Sequence, residues 1–129
     1  MLLTEYAAQC AETVSEYSKT GLILSSRLSV DSRTEKIGLI KCDITFVDGS
    51  KLFITEYLDL RYKTEKLAYS FHYQDKNNAL IFRYDNAIHK PAMPSISHKH
   101  IKGEIVEYDA PTLKDVLEEI ISDFLKTFE

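Results

Sequence analysis

The sequence predicts an α+β fold: a five-stranded antiparallel meander flanked by an N-terminal and a C-terminal helix. Three observations carry this. Apolar residues recur every three or four positions near both ends of the chain. The stretch between them switches to period-two alternation in five segments. Turn-forming residues punctuate those segments at short spacing, so consecutive strands pair as hairpins. The 129 residues have the length of one domain, and residues 1–129 are read as one.

The first helix is written in Leu3, Tyr6, Ala7, Cys10, Val14 and Tyr17. Glu5, Glu12 and Glu16 fall elsewhere on the wheel, and Gly21 stands where a helix closes. In residues 22–30, Leu22, Leu24, Leu28 and Val30 share one strand face. In residues 37–47, Ile40, Cys42, Ile44 and Phe46 face one way and Lys41, Asp43 and Thr45 the other. Residues 51–62 set Leu52, Ile54, Glu56, Leu58 and Leu60 on one face. A two-residue Asp48-Gly49 turn would oppose that face to Lys41 and Asp43. A loop of Val47, Asp48 and Gly49, with Gly49 left-handed, instead pairs Ile44 with Leu52 and Cys42 with Ile54. The second keeps one face apolar and is the expected register.

Leu67, Tyr69, Phe71 and Tyr73 alternate with Ser70, His72 and Gln74; Leu80, Phe82 and Tyr84 alternate with Ile81, Arg83 and Asp85. A turn at Asn77-Asn78 sets His72 opposite Arg83, Ser70 opposite Asp85, Phe71 beside Tyr84 and Tyr73 beside Phe82. From Asn86 to Gly103 the periodicity fails, and Pro91 and Pro94 forbid a regular ladder, so the stretch reads as one long loop. Residues 104–108 have the length of a short edge strand outside the meander. Pro111-Thr112 opens the last helix, Thr112 with Asp115 resembles a capping box, and Leu113, Val116, Leu117, Ile120, Ile121, Phe124, Leu125 and Phe128 form its stripe. Both helices are expected to cover one face of the sheet.

Composition narrows the function. With 44% hydrophobic and 28% charged residues, the chain is neither disordered nor low-complexity. No apolar run approaches the ~20 residues of a membrane-spanning helix, and no basic region precedes an apolar one at the N-terminus, so the cytoplasm is the expected compartment. Cys10 and Cys42 are distant and read as small buried hydrophobes. The net charge of −4 argues against a protein that coats nucleic acid non-specifically. The charge is unevenly spread: residues 1–82 are nearly neutral, 83–103 net +3 and 104–129 net −6. Three of the four histidines fall in the basic window. No phosphate-binding Walker loop, dinucleotide fingerprint or nucleophile elbow is present.

Three groups could carry chemistry. Glu56 interrupts an apolar strand face, which a salt bridge to the next strand or a catalytic carboxylate would equally explain. His72, Arg83 and Asp85 project from the polar side of the last hairpin: an imidazole titrating near neutrality, a fork for phosphate, and a carboxylate to orient either. The third group is the loop bearing His89, Lys90, His98, Lys99 and His100. In an extended backbone His98 and His100 point the same way, as two ligands of one metal would, but the basic company favours phosphodiester chemistry, and no metal or other cofactor is expected. Tyr57, Tyr62, Tyr69, Tyr73 and Tyr84 invite base stacking, although the last three share a face with Phe71 and Phe82 and read better as core.

His72-Tyr-Gln-Asp75, the run 80–87 of Leu-Ile-Phe-Arg-Tyr-Asp-Asn-Ala, His89 and His98-Lys-His100 together resemble the TumE family, toxins of toxin–antitoxin modules. The resemblance spans residues 50–121 and places the family's middle-strand carboxylate on Glu56. Ile88 and Lys90 stand where many members carry Pro and His. The resemblance implies a helix-turn-helix antitoxin as partner.

The leading reading is a toxin-like ribonuclease. His72 or His98 takes a proton from the ribose 2′-OH, His100 protonates the leaving oxygen, and Arg83 stabilises phosphate charge. Glu56, Asp85 and His89 complete the catalytic set, and Lys90, Lys99 and Asn86 bind substrate. The alternatives are a metal-dependent hydrolase built on His98-x-His100 and a non-enzymatic binding module. RNA is the expected ligand, no membrane contact is expected, and a homodimer is compatible with the sequence.

Overall fold

The structure, a computed structural model, describes residues 1–87 and 97–126. Within them α1 (Leu3–Ser18) leads into β1 (Ile23–Ser32), β2 (Ile37–Phe46), β3 (Lys51–Asp59), β4 (Glu65–Gln74), β5 (Leu80–Asp85), β6 (His98–Ile101) and β7 (Glu104–Glu107), followed by α2 (Leu113–Asp123). The strands form one sheet in chain order, with every neighbour antiparallel. Val14 of α1 and Val116, Leu117 and Ile120 of α2 pack with Ile44, Leu52, Phe71, Tyr73 and Phe82, so both helices cover one face.

The α+β plan with two flanking helices holds, but the strand count is seven, not five. Pro91 and Pro94 lie outside the described residues. Beyond them His98–Ile101 pairs with β5 and then turns back as β7. Lys102 and Gly103 make that turn at φ 50° and 77°, the successive positive angles of a tight hairpin. Lysine rarely supplies the first of these, so no turn signal stood in the sequence. His98 and His100 therefore sit on a strand, and the expected histidine-rich loop is corrected to that extent.

Two registers follow from the turns as expected. The Phe46 N–H donates to Ser50 O across Val47, Asp48 and a left-handed Gly49, and Ile44 meets Leu52 and Cys42 meets Ile54. His72 meets Arg83 and Phe71 meets Tyr84. The second turn is wider than Asn77-Asn78, however. Asp75 organises it by accepting the Asn77 and Ala79 N–H groups, and an irregularity at Gln74 restores the register.

Bulges overturn two assignments. One between Ile23 and Ser25 turns Leu24 outward, leaving it 65% exposed. Another opposes Tyr57–Leu58 to Ala68 and Lys66, so Leu67 points to solvent and Lys66 takes its inward place. Period-two alternation cannot show an inserted residue. The Lys66 Nζ then reaches Glu56 Oε2 at 2.7 Å and donates to the Pro111 carbonyl at 3.0 Å, while Tyr6 Oη donates to Glu56 Oε1 at 2.8 Å. One buried carboxylate thus ties α1, β3, β4 and the entry to α2 together. Lys66→Met should destabilise the fold by roughly 3–5 kcal/mol because it strands Glu56 in the core. Adding Glu56→Leu should recover most of that loss in urea unfolding; an undiminished loss in the double variant would refute the pairing as its cause.

Candidate functional site

The sheet face turned away from the helices carries the polar constellation. Pleating sends His72 out because Phe71 and Tyr73 go in, and does the same for Arg83 and Asp85 around Tyr84. Register then sets three rows side by side: Ser70 and His72 on β4 oppose Asp85 and Arg83 on β5, which oppose His98 and His100 on β6.

Arg83 joins the group. Its Nε donates to Asp85 Oδ2 at 2.8 Å, and its Nη1 donates to His72 Nδ1 at 3.2 Å. The His100 Nε2 lies 3.2 Å from the same Asp85 oxygen. The His72 Nε2 is 3.1 Å from Gln74 Oε1. A guanidinium cannot accept a hydrogen bond, so His72 Nδ1 offers its lone pair and Nε2 carries the proton to Gln74. The ring is therefore neutral in this arrangement. Burial lowers the His72 pKa, and the Arg83 charge lowers it further against the Gln74 bond. Phe53, opposite on β3 with its ring 6.2 Å away, contributes to that burial. Burial alone would raise the Asp85 pKa, but Arg83, His100 and the Ala87 N–H hold it below its ordinary value.

Exposure divides the roles. The Arg83 side chain is 36% exposed and that of His100 20%, so both reach solvent. Asp85 is 5% exposed at its side chain and His98 2% overall, so they sit behind the surface.

The remaining sequence-derived candidates lie elsewhere. Glu56 is on the helix-covered face, engaged by Lys66 and Tyr6, away from the His72 face. Lys99 points to that same face. Its Nζ is 2.9 Å from Glu119 Oε2 and packs 5.5, 4.9 and 5.4 Å from the rings of Phe82, Tyr84 and Tyr108. The Asn86 amide extends the ladder of β4, with Oδ1 accepting the Tyr69 N–H and Nδ2 donating to Leu67 O. His89 and Lys90 lie outside the described residues. Tyr69, Tyr73 and Tyr84 are buried core. Among the described residues no three His, Cys, Asp or Glu side chains gather as a metal requires. Gln74 was missed as the His72 partner, although it stands two residues on and so shares its strand face. Burial pushes the Cys10 thiol up to about 12 and Cys42 up to about 11, which makes both poor nucleophiles.

These pKa directions set two acid transitions. The unfolded His72 takes a proton near pH ~6.5 while the folded ring resists, so stability should fall as pH drops through that range. Asp85 contributes stability above the ordinary carboxylate range that is lost only below pH ~4. Melting temperatures should show His72→Gln flattening the upper transition while sparing the lower; an unchanged upper transition would assign it to another group.

The Toxin TumE family matches residues 11–127. No curated protein and no solved structure matches the chain significantly. Among the described residues no helix is long and apolar enough to cross a membrane. With nearly its whole length matched, the chain belongs to the TumE toxin family, a family of toxins of toxin–antitoxin modules that implies an antitoxin partner.

Proposed function

We propose that the chain is a toxin that cleaves RNA by acid–base chemistry at His72, Arg83, Asp85 and His100. The observation that supports this is Arg83 bridging a neutral imidazole and a carboxylate that itself holds a second imidazole. Arg83 has donors left for a phosphate oxygen. A phosphate drawing the guanidinium toward itself uncovers the His72 Nδ1 lone pair, which takes the 2′-OH proton. The 2′-oxygen attacks phosphorus, the bond to the 5′-oxygen breaks, and His100 protonates that leaving oxygen. The products are a 2′,3′-cyclic phosphate and a 5′-hydroxyl. Asp85 and His98 are positioning residues, the first holding both Arg83 and His100. His72 is the better base than His98, because His98 is too buried to meet a ribose. Lys99 and Asn86, held elsewhere, have no part in the reaction. His89 and Lys90 lie outside the described residues and are given no step in the reaction.

The metal-dependent alternative finds less support, since two aligned imidazoles lack a third donor among the described residues. The purified chain should cleave a long RNA in EDTA and leave cyclic phosphate ends. His72→Ala, Arg83→Ala and His100→Ala should each slow cleavage by about 10²–10⁴-fold, the usual range for such groups. Arg83→Lys should also fail, because a point charge cannot span His72 and Asp85. No cleavage in EDTA, or equal cleavage by all variants, would overturn the reading.

A further inference from the structure

We propose that the free edge of β7 docks a basic, extended segment of a partner protein, which joins the sheet as an eighth strand. Among the described residues no strand pairs with this outer edge. Its unused groups can be read from the turn. Ile101 and Glu104 flank a two-residue loop and so form a hydrogen-bonded pair, and bonded pairs alternate along an antiparallel ladder. Lys99 and Val106 are the next such pair, and the Tyr108 N–H bond to Ser97 O at 3.1 Å continues the series. The N–H and C=O groups of Ile105 and Glu107 therefore point away from β6, where a further strand would meet them.

Side chains agree with the backbone. All four β7 residues are exposed, and Ile105, Val106 and Tyr108 present apolar surface at 42%, 39% and 48% exposure. The opposite edge, β1, carries a bulge, a device that discourages pairing, whereas β7 is regular.

Charge selects the occupant. Glu104, Glu107 and Asp109 line the edge, and a groove of about 600 Å³ between it and α2 adds Asp115, Glu118 and Asp123. Lys99, also in the groove, is already held by Glu119. A second copy would bring the same acids against themselves. A strand with cationic side chains on one face and apolar ones on the other fits: the cations face the groove beside Val106, and the apolar face lies beside Ile105. Ile105 is opposite His100 and Glu107 opposite His98, so the docked strand would flank the polar constellation. Membership of a toxin family implies an antitoxin, and a basic strand is the chemistry to seek in it. This inference does not depend on RNA cleavage, and either can fail alone.

A fluorescent peptide alternating lysine and valine tests it. The chain should bind this peptide in preference to one alternating glutamate and valine, and added salt should weaken binding. Ile105→Pro removes an outward N–H while keeping the β6–β7 bonds, and should weaken binding about tenfold or more, equivalent to ~1.4 kcal/mol. Glu104→Lys combined with Glu118→Lys should do the same with little effect on melting. Backbone amide shifts should centre on Ile105 and Glu107. No binding, undiminished binding in both variants, shifts centred on β1, or a dimer of the chain that Ile105→Pro dissolves would each overturn the proposal.

Discussion

The register of the β4–β5 hairpin is the constraint on which the site depends. Strand side chains alternate faces, so a one-residue slip would bury His72 and expose Phe71. The slip is prevented from both sides. Phe71, Tyr73 and Phe82 are fully buried beneath the helices, and Asp75 closes the turn with bonds to two backbone N–H groups. Once this register is set, β5 positions β6, and Asp85 meets His98 and His100 through strand pairing. The aromatic core and the polar face are two sides of the same pairing.

Two half-buried lysines explain how an antiparallel sheet keeps its helices. Lys66 joins Glu56 and the Pro111 carbonyl under the rings of Tyr69 and Phe71; Lys99 joins Glu119 of α2 under Phe82, Tyr84 and Tyr108. Tyr6 and Tyr84 donate to the two carboxylates, at 2.8 and 2.6 Å. In each case a cation under aromatic rings meets a carboxylate that also accepts a tyrosine hydroxyl, so the half-buried charges are paired as well as hydrogen-bonded. Both lie on the helix side, so neither of these two lysines competes with Arg83 and His100 for Asp85.

Much of this was legible in the sequence, for identifiable reasons. The Val47–Gly49 loop followed from the demand for one apolar face, and the His72–Arg83 pair followed from a turn at Asn77-Asn78, which is wider in the structure but keeps that register. Illegible features were those in which one residue is inserted or a turn lacks its usual chemistry. The bulge that turns Lys66 inward left no trace in the alternation, so Glu56 stayed ambiguous until its partner was seen. Lys102-Gly103 lacks the asparagine or aspartate that marks such a turn, so the strand before it, β6, was missed and the short edge strand after it had no partner assigned. His98 and His100 were legible as a pair facing one way, whereas their closeness to Asp85 required the pairing of β6 with β5 across residues that carry no periodic signal.

The same pairing changes the meaning of the charge distribution. Residues 83–103 are net +3 in sequence, which suggests a basic surface for phosphate. In the fold Lys99 leaves that surface for the opposite face and is neutralised by Glu119, and Arg83 lies against Asp85. Among the described residues, what stands beside the imidazoles is a guanidinium already in contact with a carboxylate. On the proposed reading such a site works through short contacts, in which a phosphate draws Arg83 from partners it already holds. Selectivity for a particular backbone geometry, more than affinity for negative charge, is what that arrangement favours.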